Sequence, residues 1–378
     1  MSIGLYIHVP FCIKKCNYCS FVSVPRDIRL ISQFLDALVA EMKIRTAALS
    51  SEERVVDSIY IGGGTPTCLS GESLAQMLAR VRHYFDVTKE AEISVEANPG
   101  TVDQDALNLL KRSGYNRLSF GFQSCQQEHL KTLGRIHSYQ EAVASFQAAR
   151  SAGFDNINVD LIFGIPGQTL RQWQDCLQKI VSLGPEHISA YGLQIEEETP
   201  LYKRVLEGTM EPCSEDLEAE MYQSLMDILT ASGYVHYEIS NFSLPGRFSR
   251  HNLRYWQNKS YLGLGPAAHS YLGRKRLAND SSLEGYLEKL ATSSSPVSWE
   301  EIVTPESEMS ETVFLGLRLA EGLDLEGFMK RFGKALDQVY PEQIKKLSGL
   351  GLVEKAGNRL RLTKQGMMLG NIVFVEFV

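Results

Sequence analysis

Short apolar runs, many of them rich in β-branched residues, alternate along the first half of the chain with segments that repeat apolar positions at helical spacing. The first helical segment places Ile31, Leu35, Leu38 and Met42 on one face. Repeats of strand then helix predict a parallel sheet that is covered by helices. The predicted strands are residues 5–9, 58–61, 92–96, 117–122, 156–163 and 188–193.

The rhythm of strand and helix ends after Leu193, where a helix near residues 214–232 and a segment rich in glycine and aromatic residues follow. An eight-stranded barrel would need two more clear units. We therefore predict an α/β fold, a partial six-stranded (β/α)6 TIM-like barrel over residues 1–240, with residues 241–290 completing this core. In such folds ligands collect at the C-terminal ends of the strands.

The last part of the chain has a different pattern. A Ser-rich stretch at residues 291–296 marks a linker. Residues 297–378 then show helical patterns at 310–320, 325–332 and 336–347, and two short strands around a Gly-Asn turn. These elements predict a winged-helix-like module, but its charges are near balance, so we expect an interaction or lid domain. The final run, 372–378, is long enough only for a strand.

Charge and cysteine use narrow the class of protein. A formal net charge of −7 over 378 residues disfavours a nucleic-acid partner, because phosphate contacts need a basic surface. No pairing framework is visible among Cys68, Cys125, Cys176 and Cys213, so we expect reduced thiols and a cytoplasmic protein. No signal or transit peptide is evident, and no apolar run approaches the roughly 20 residues that span a bilayer. We expect peripheral membrane association at most.

Three cysteines lie within eight residues at the start of the chain: Cys12, Cys16 and Cys19. Clustered thiolates favour zinc, copper(I) or an iron–sulfur cluster, and a structural zinc site would normally close with a fourth Cys or His nearby. No fourth ligand follows closely, since Cys68 is the next thiol. A 4Fe-4S cubane held by three cysteines keeps one iron open for an outside ligand. The triplet therefore predicts a catalytic type of cluster.

Polar residues and glycines stand at the ends of the predicted strands. Gly62-Gly-Gly-Thr-Pro66 follows the second strand and can bring backbone N–H groups close to a ligand. Glu96 and Gln123 close later strands, Asp160 sits within the next one, and Arg135 follows Gln123 in a helix-turn segment. A single one of these could be a cap or a surface residue, but four at one rim predict a shared pocket.

Together these motifs resemble the oxygen-independent coproporphyrinogen oxidase group of radical S-adenosylmethionine (SAM) proteins, along nearly the whole chain. The resemblance implies a 4Fe-4S cluster on Cys12, Cys16 and Cys19, whose open iron chelates SAM. It implies SAM contacts from Tyr6, Gly63, Gly64, Thr65, Glu96, Gln123, Arg135 and Asp160. Members of the group can hold two SAM molecules. By resemblance Glu96 and Arg135 serve the first and Gln123 and Asp160 the second, with Gly64 near both.

Two departures separate this chain from the authentic oxidases. They carry a further cysteine where this chain has Phe21, and an N-terminal extension before the cluster loop, whereas Cys12 here follows only eleven residues. Both features are typical of the haem chaperone branch of the group. That branch implies a site for haem.

The sequence His251-Asn-Leu-Arg-Tyr-Trp256 resembles the His-Asn-x-x-Tyr-Trp signature of the chaperone branch. An imidazole can ligate haem iron, Tyr255 and Trp256 offer apolar faces to the macrocycle, and Arg254 could meet a propionate. A lone histidine in a loop is more often a hydrogen-bonding residue, and His8, His137 and His269 are rival ligands.

We expect a haem chaperone that carries a 4Fe-4S cluster and SAM, binds haem near His251 and passes it to acceptor haem proteins, respiratory enzymes above all. An alternative is the oxidase itself, which would decarboxylate coproporphyrinogen III oxidatively to protoporphyrinogen IX through radical chemistry. A third is a radical SAM scaffold that has lost both activities. The sequence leaves open whether haem is held covalently and whether the chain forms a homodimer.

Overall fold

The computed structural model describes residues 2–378, in which seventeen strands form one large sheet and two small ones. In chain order the strands are β1 (Ile3–Val9), β2 (Phe11–Cys12), β3 (Val24–Pro25), β4 (Val55–Gly63), β5 (Asp86–Ala97), β6 (Arg117–Gln123), β7 (Ile157–Phe163), β8 (His187–Gly192), β9 (Val235–Glu238), β10 (Asn241–Ser243), β11 (Tyr261–Leu264), β12 (His269–Leu272), β13 (Lys275–Asn279), β14 (Val297–Ile302), β15 (Leu323–Asp324), β16 (Val353–Ala356) and β17 (Arg359–Leu362). The large sheet has twelve strands in the order β14-β13-β12-β11-β1-β4-β5-β6-β7-β8-β10-β9.

The middle of the large sheet is the predicted barrel. Strands β1, β4, β5, β6, β7 and β8 pair in parallel and in chain order, as in a (β/α)6 unit. The six predicted strands and the partial, open form of the barrel are thus confirmed. One parallel strand was not predicted: β11 pairs with the free side of β1. It was missed because it lies beyond Leu193, where the alternation of strand and helix patterns in the sequence ends.

Helices cover the outer face of the barrel. In chain order the helices are α1 (Ile28–Ala48), α2 (Gly71–Tyr84), α3 (Gln104–Ser113), α4 (Gln127–Thr132), α5 (Tyr139–Ser151), α6 (Leu170–Leu183), α7 (Pro200–Leu206), α8 (Glu215–Ala231), α9 (Arg250–Trp256), α10 (Leu283–Ala291), α11 (Pro305–Leu317), α12 (Leu325–Phe332), α13 (Leu336–Val339), α14 (Pro341–Gly349), α15 (Lys364–Met368) and α16 (Gly370–Val375). Local sequence sets their ends: Ser138 and Glu141 form a capping box that begins α5, and Gly114 ends α3 in the left-handed conformation.

The two faces of the barrel strands differ in chemistry. On β6, Leu118, Phe120 and Phe122 are fully buried in the hydrophobic core beneath the helices. Ser119 on the same strand points to the other face, where its hydroxyl donates a hydrogen bond to Asp160 on β7. Because side chains alternate along a strand, the inner face of the barrel is left polar while the outer face holds the core. The inner face therefore positions the site.

The C-terminal residues have a hydrophobic core of their own, which includes Val313, Phe328, Leu347 and Leu360. The predicted helices and hairpin are present, except that Pro341 divides the third helical pattern into α13 and α14. Strand β14 belongs to the large sheet, since it pairs with β13. The domain boundaries stay a prediction, although the separate core starts with α11.

The end of the chain corrects one prediction. Residues 372–378 were expected to form a strand, and that is wrong, because Gly370–Val375 is helix α16. Val373 within the helix and Phe377 in the turn after it are buried in the C-terminal core. Packing against the module outweighs the β-propensity of the run. Of the helices in residues 2–378, none combines the length and the apolar character that crossing a bilayer requires.

Candidate cluster and SAM site

The loop that carries the three cysteines begins directly after β1 and is closed at its base by a short pair of strands. Strand β2 pairs in parallel with β3, and the amide of Arg26 donates a hydrogen bond to the carbonyl oxygen of Cys12 at 2.9 Å. Cys12, Cys16 and Cys19 are free thiols and only half-buried. The two ends of the loop are thus held together by β2 and β3, and all three thiols lie on this one loop.

Asn17 fastens this loop to the barrel. Its side-chain amide donates to the carbonyl oxygen of Thr132 at 3.0 Å, and its backbone amide donates to that of Leu133 at 2.9 Å. Gly134 is required at this contact, because it has φ +77° and an added Cβ would lie 2.8 Å from the Asn17 side chain. Asn17 therefore fixes the position of its neighbour Cys16.

A chain of polar side chains links two of the thiols. The hydroxyl of Thr65 lies 3.7 Å from the Cys12 sulfur and accepts a hydrogen bond from Asn98 at 2.7 Å. Arg135 donates one hydrogen bond to Asn98, one to the Gly121 carbonyl oxygen at 2.8 Å and one to the Cys16 sulfur at 3.4 Å. Arg135 and Asn98 therefore connect the surroundings of Cys16 to those of Cys12.

The arrangement of the thiols bears on the choice of metal. Within residues 2–378, no group of three or more His, Cys, Asp or Glu side chains could hold one metal ion. A single zinc ion would need such a group with a fourth ligand. A 4Fe-4S cluster takes each thiolate on a different iron, so its three cysteines need not converge on one point. Three cysteines on one short loop, with no fourth ligand close by in the sequence, therefore fit a 4Fe-4S cluster.

The glycine segment after β4 lies against the cysteine loop. The amide of Gly64 donates to the carbonyl oxygen of Val9 at 2.9 Å. An added Cβ on Gly64 would lie 2.7 Å from the Phe11 carbonyl oxygen and 3.1 Å from the Cys12 sulfur. Gly63 has φ +111°, and a Cβ there would meet the His8 ring at 2.7 Å. Only glycine permits this close approach, so the segment and the cluster loop form one wall of the site.

Glu96 lies at the end of β5, on the inner face. Its carboxylate accepts hydrogen bonds from the Tyr60 hydroxyl at 2.8 Å and from the Gly63 amide at 3.1 Å. Burial, with a smaller contribution from the charge of Asp160, raises the pKa of Glu96 to about 7. A carboxylate with this pKa is available to a cationic ligand near neutral pH.

Tyr6 lies on β1, which pairs with β4, the strand that carries Tyr60. Its ring stacks on that of Tyr60 with ring centroids 6.3 Å apart, and its hydroxyl lies 3.1 Å from Nδ1 of His8. Tyr60 also binds Glu96, so the tyrosine pair joins the carboxylate to the strand that leads into the cluster loop. The sequence placed Tyr6 in the site, and the structure brings it next to this network.

Asp160 and Gln123 lie further round the same rim. Asp160 accepts hydrogen bonds from Ser119 at 2.9 Å and Asn158 at 2.7 Å, and burial raises its pKa. Gln123 ends β6 at φ +66°, where the register with β7 shifts. A Cβ on Gly121 would lie 2.9 Å from the Gln123 amide nitrogen and 3.0 Å from Arg135. Gln123 and Arg135 thus lie together beside Gly121, whose register partner on β7 is Asp160.

Sequence reasoning missed three residues of this region. Asn98 joins Thr65 to Arg135 through hydrogen bonds. Its position just after a strand and before Pro99 could have identified it as a residue of the site. Asn17, between two of the cysteines, anchors the loop. Arg117 left no signal, since it opens β6 in an otherwise apolar run.

Arg117 is a buried cation on the inner face of the barrel. It is 2% exposed, and its Nε has no hydrogen-bond partner within residues 2–378. Ser94, its register partner on β5, likewise has an unpartnered buried hydroxyl. The charge of Arg117 lowers the pKa of Asp160 and so opposes the effect of burial there. The barrel interior therefore holds a positive charge below its acidic rim.

His251 lies at the opposite end of the barrel, on α9. It is 1% exposed, its Nδ1 lies 3.1 Å from the Ser58 hydroxyl, and its Nε2 lies 2.9 Å from the Tyr255 hydroxyl. Its ring stacks on Tyr60 with ring centroids 5.5 Å apart. Burial lowers the pKa of His251 to about 3, so the ring is neutral. The His-Asn-x-x-Tyr-Trp segment thus supports Tyr60, which in turn binds Glu96.

The other residues of that segment are also engaged. Arg254 forms a largely buried ion pair with Asp57. The guanidinium of Arg318 lies over the ring of Trp256, 4.3 Å from the centroid of that ring. In this conformation haem ligation by His251 requires one of its two hydrogen bonds to open. His251 as a haem ligand therefore stays a prediction.

The rival histidines differ in access. His8 and His137 are buried, and they bond to the carbonyl oxygens of Val22 at 2.8 Å and Phe122 at 3.2 Å. His269, at the start of β12, is exposed. Of these three rivals, His269 alone presents its ring to a large ligand without rearrangement.

Comparison with known proteins agrees with this geometry. The chain matches the family models of the Radical SAM superfamily over residues 6–180 and of the HemN C-terminal domain over residues 303–369. The heme chaperone HemW of Bacillus subtilis strain 168 is 38% identical over 374 residues, which cover 99% of this chain and 98% of the relative. The heme chaperone HemW of Lactococcus lactis strain IL1403 is 36% identical over 373 residues, with coverage of 99% and 96%.

One solved structure is similar over the full length. The coproporphyrinogen III oxidase HemN from Escherichia coli, described as a radical SAM enzyme, has a TM-score of 0.86 and 24% identity, and the match covers 100% of this chain and 90% of that chain. Because the sequence identity is only 24%, this similarity shows that the two proteins share a fold.

Proposed function

The chain belongs to the family of the heme chaperone HemW within the radical SAM superfamily, and from that premise we propose that it binds haem and transfers it to acceptor haem proteins. The observation that carries the proposal is similarity to proteins of that name over 99% of the chain, including the C-terminal module. Phe21, at the position where the authentic oxidases have a further cysteine, points the same way.

We propose further that Cys12, Cys16 and Cys19 hold a 4Fe-4S cluster. The supporting facts are the closed loop, the Asn17 anchor and the guanidinium of Arg135 beside Cys16. When bound, the cluster would supply an electron to SAM. Around it, Gly64 allows the loop to approach, Thr65 contacts the Cys12 sulfur, and Asn98 holds Thr65 and Arg135 in place.

SAM would lie between the cluster loop and the strand ends. The carboxylate of Glu96 suits the ligand's amino group or ribose hydroxyls, and the guanidinium of Arg135 suits its carboxylate. Backbone groups of Gly63, Gly64 and Thr65 and the side chain of Tyr6 complete this part of the proposed site. Gln123 and Asp160 would serve a second SAM molecule. The closeness of Gln123 to Arg135 beside Gly121, and the register pairing of Gly121 with Asp160, support a shared cavity.

Haem binding is proposed at the His251 segment. Because both ring nitrogens of His251 are engaged, the proposal requires opening of α9 from the base of the barrel. The acceptors would be respiratory haem proteins, reached from the cytoplasm with at most peripheral contact to a membrane. A reducing compartment suits a cluster held by thiolates.

Haem titration of anaerobically reconstituted protein tests the proposal. Haemin is added to the protein with and without SAM, uptake is followed by absorbance, and apomyoglobin serves as a generic acceptor. We expect uptake and transfer that need no SAM cleavage, uptake weakened at least about tenfold by His251→Ala, and no change in His83→Ala, an exposed control. Intact SAM binding by His251→Ala would separate haem loss from misfolding.

Two results would reject the chaperone function. Absence of haem uptake would remove its basis. SAM-dependent formation of protoporphyrinogen IX from coproporphyrinogen III would instead assign the oxidase reaction. If haem binds but His269→Ala, and not His251→Ala, weakens it, the function stands and the ligand is the exposed histidine.

A further inference from the structure

Two cysteines that are 51 positions apart in sequence meet behind the rim of the barrel. The sulfur of Cys125 lies 2.6 Å from the sulfur of Cys176 and 3.7 Å from the Cys176 carbonyl oxygen. Non-bonded heavy atoms prefer separations of about 3.5 to 4.0 Å. Both side chains are buried, at 7% and 1% exposure. The fold therefore holds the two sulfurs closer than an ordinary contact, although no pattern in the sequence predicts this pair.

The backbones on both sides of this contact are already fixed. Cys125 lies in the turn between β6 and α4, and Cys176 lies within α6. The side chain of Gln126 donates to the carbonyl oxygen of Gln172, on α6, at 2.8 Å. The turn is thus docked on α6, and a covalent bond between the sulfurs would need little movement of either segment.

We propose that Cys125 and Cys176 form a reversible disulfide. With glutathione disulfide as oxidant, one protein thiolate attacks it and releases one glutathione, and the second protein thiol then displaces the other glutathione. Overall, two protein thiols and one glutathione disulfide give one protein disulfide and two glutathione thiols. The hydrogen bond with Cys176, together with burial, raises the pKa of the Cys125 thiol, so the reaction is slow and proceeds through local opening.

The bond would tie the turn that follows Gln123 to α6. Gln123 is two residues before Cys125 and adopts φ +66°, so its orientation depends on this turn. Oxidation would therefore fix one wall of the barrel rim. An effect on SAM rests on the proposed role of Gln123, whereas the disulfide itself does not depend on it.

Peptide mapping tests the bond. Trypsin cleaves after Arg117, Lys131, Arg171 and Lys179, which places Cys125 alone in peptide 118–131 and Cys176 alone in peptide 172–179. After incubation of anaerobically reconstituted protein with excess glutathione disulfide, and alkylation of the remaining thiols, we expect the two peptides linked with the loss of two hydrogens. Dithiothreitol should separate them, and Cys125→Ser and Cys176→Ser should each abolish the link.

The wild-type measurement decides the proposal even if a variant fails to fold. Complete alkylation of both cysteines after oxidation would overturn it, as would glutathione attached to Cys125 without a link. Cys213, which is half-buried and bonds only locally to the Ser214 carbonyl oxygen, reports whether the oxidant reacted.

Hydrogen exchange tests whether the disulfide holds the turn after Gln123 rigid. The amides of peptide 118–131 should exchange at least about tenfold more slowly in the oxidised protein. Equal rates in the two forms would contradict a rigid turn.

Discussion

The polar side chains at the two ends of the barrel differ in how they are bonded; the rim is the end with the cysteine loop, and the base is the end with α9. At the rim, Cys12 and Cys16 are free, half-buried thiols, and Gly64 lets the backbone approach Cys12 closely. At the base, His251 uses both ring nitrogens and Arg254 is paired with Asp57. Free thiols beside a glycine indicate a place for a ligand, whereas a buried histidine that uses both of its nitrogens indicates a supporting role.

The comparison changes the interpretation of the His-Asn-x-x-Tyr-Trp segment. Through the stacking of His251 on Tyr60, and the hydrogen bond from Tyr60 to Glu96, the base of the barrel supports the rim. A haem site that opens this segment would loosen Tyr60. Haem binding and the shape of the SAM site are therefore expected to influence each other.

The largest effect is expected from a cysteine at the rim. Cys16→Ser removes a proposed cluster ligand and the sulfur that Arg135 contacts, so we expect reconstituted protein to lose nearly all of its iron and sulfide. Because Cys16 is only half-buried, the unfolding midpoint without cluster should change little. Iron and sulfide analysis together with thermal unfolding measures both.

Cys213→Ser is the matched control, since Cys213 is also half-buried but lies outside the cluster loop. Its iron content should equal that of the wild type. Full iron content in Cys16→Ser would break the assignment of the rim as the cluster site.

His251→Ala at the base should give the opposite result. The change leaves the Ser58 and Tyr255 hydroxyls without their partner and creates a cavity beside Tyr60. We expect a loss of about 2 to 4 kcal/mol in the free energy of unfolding, with cluster content unchanged. Denaturant unfolding and iron analysis of the same preparations test this.

A variant that keeps its stability would contradict a supporting role for the base. His83→Ala, on the exposed surface of α2, shows how much the loss of a histidine costs without such contacts, and we expect a change of at most about 0.5 kcal/mol.

The sequence could predict the rim better than the base for a physical reason. Glu96 and Gln123 lie at the C-terminal ends of β5 and β6, and parallel strands bring their ends together, so position along the chain was enough for these two. Asp160 lies in the middle of β7, where only the alternation of side chains along the strand places it on the inner face. The role of His251 depends on which strands α9 contacts, and no local pattern encodes that. A motif indicated its importance but not its burial.

Other misses have the same origin. Arg117 and Ser94 meet through strand register, and Cys125 meets Cys176 across 51 positions. These contacts arise from how helices and strands pack, which periodicity does not specify. The helix α16 shows the reverse case, in which a local β pattern gave way to burial of Val373 in the module core.

The smallest effect, and the one that links both ends, concerns the ionisation of Glu96. Burial raises the pKa of its carboxyl from 4.5 to about 7. In the unfolded chain the carboxyl titrates at its ordinary value, so between these pH values the folded state holds a proton that the unfolded state releases. Stability should therefore fall as the pH rises from about 4.5 towards 7, and Glu96→Gln should remove this contribution.

SAM binding should show the opposite slope. If the ionised carboxylate of Glu96 meets the cationic amino group of SAM, affinity increases as the pH rises through about 7, by up to about tenfold between pH 6 and pH 8. Equilibrium binding at several pH values measures this, and Glu96→Gln should bind weakly at all of them with a flat profile. A flat profile in the wild-type protein would place the amino group elsewhere. A steep wild-type profile that flattens in His251→Ala would mean that the base sets the ionisation of the rim through Tyr60.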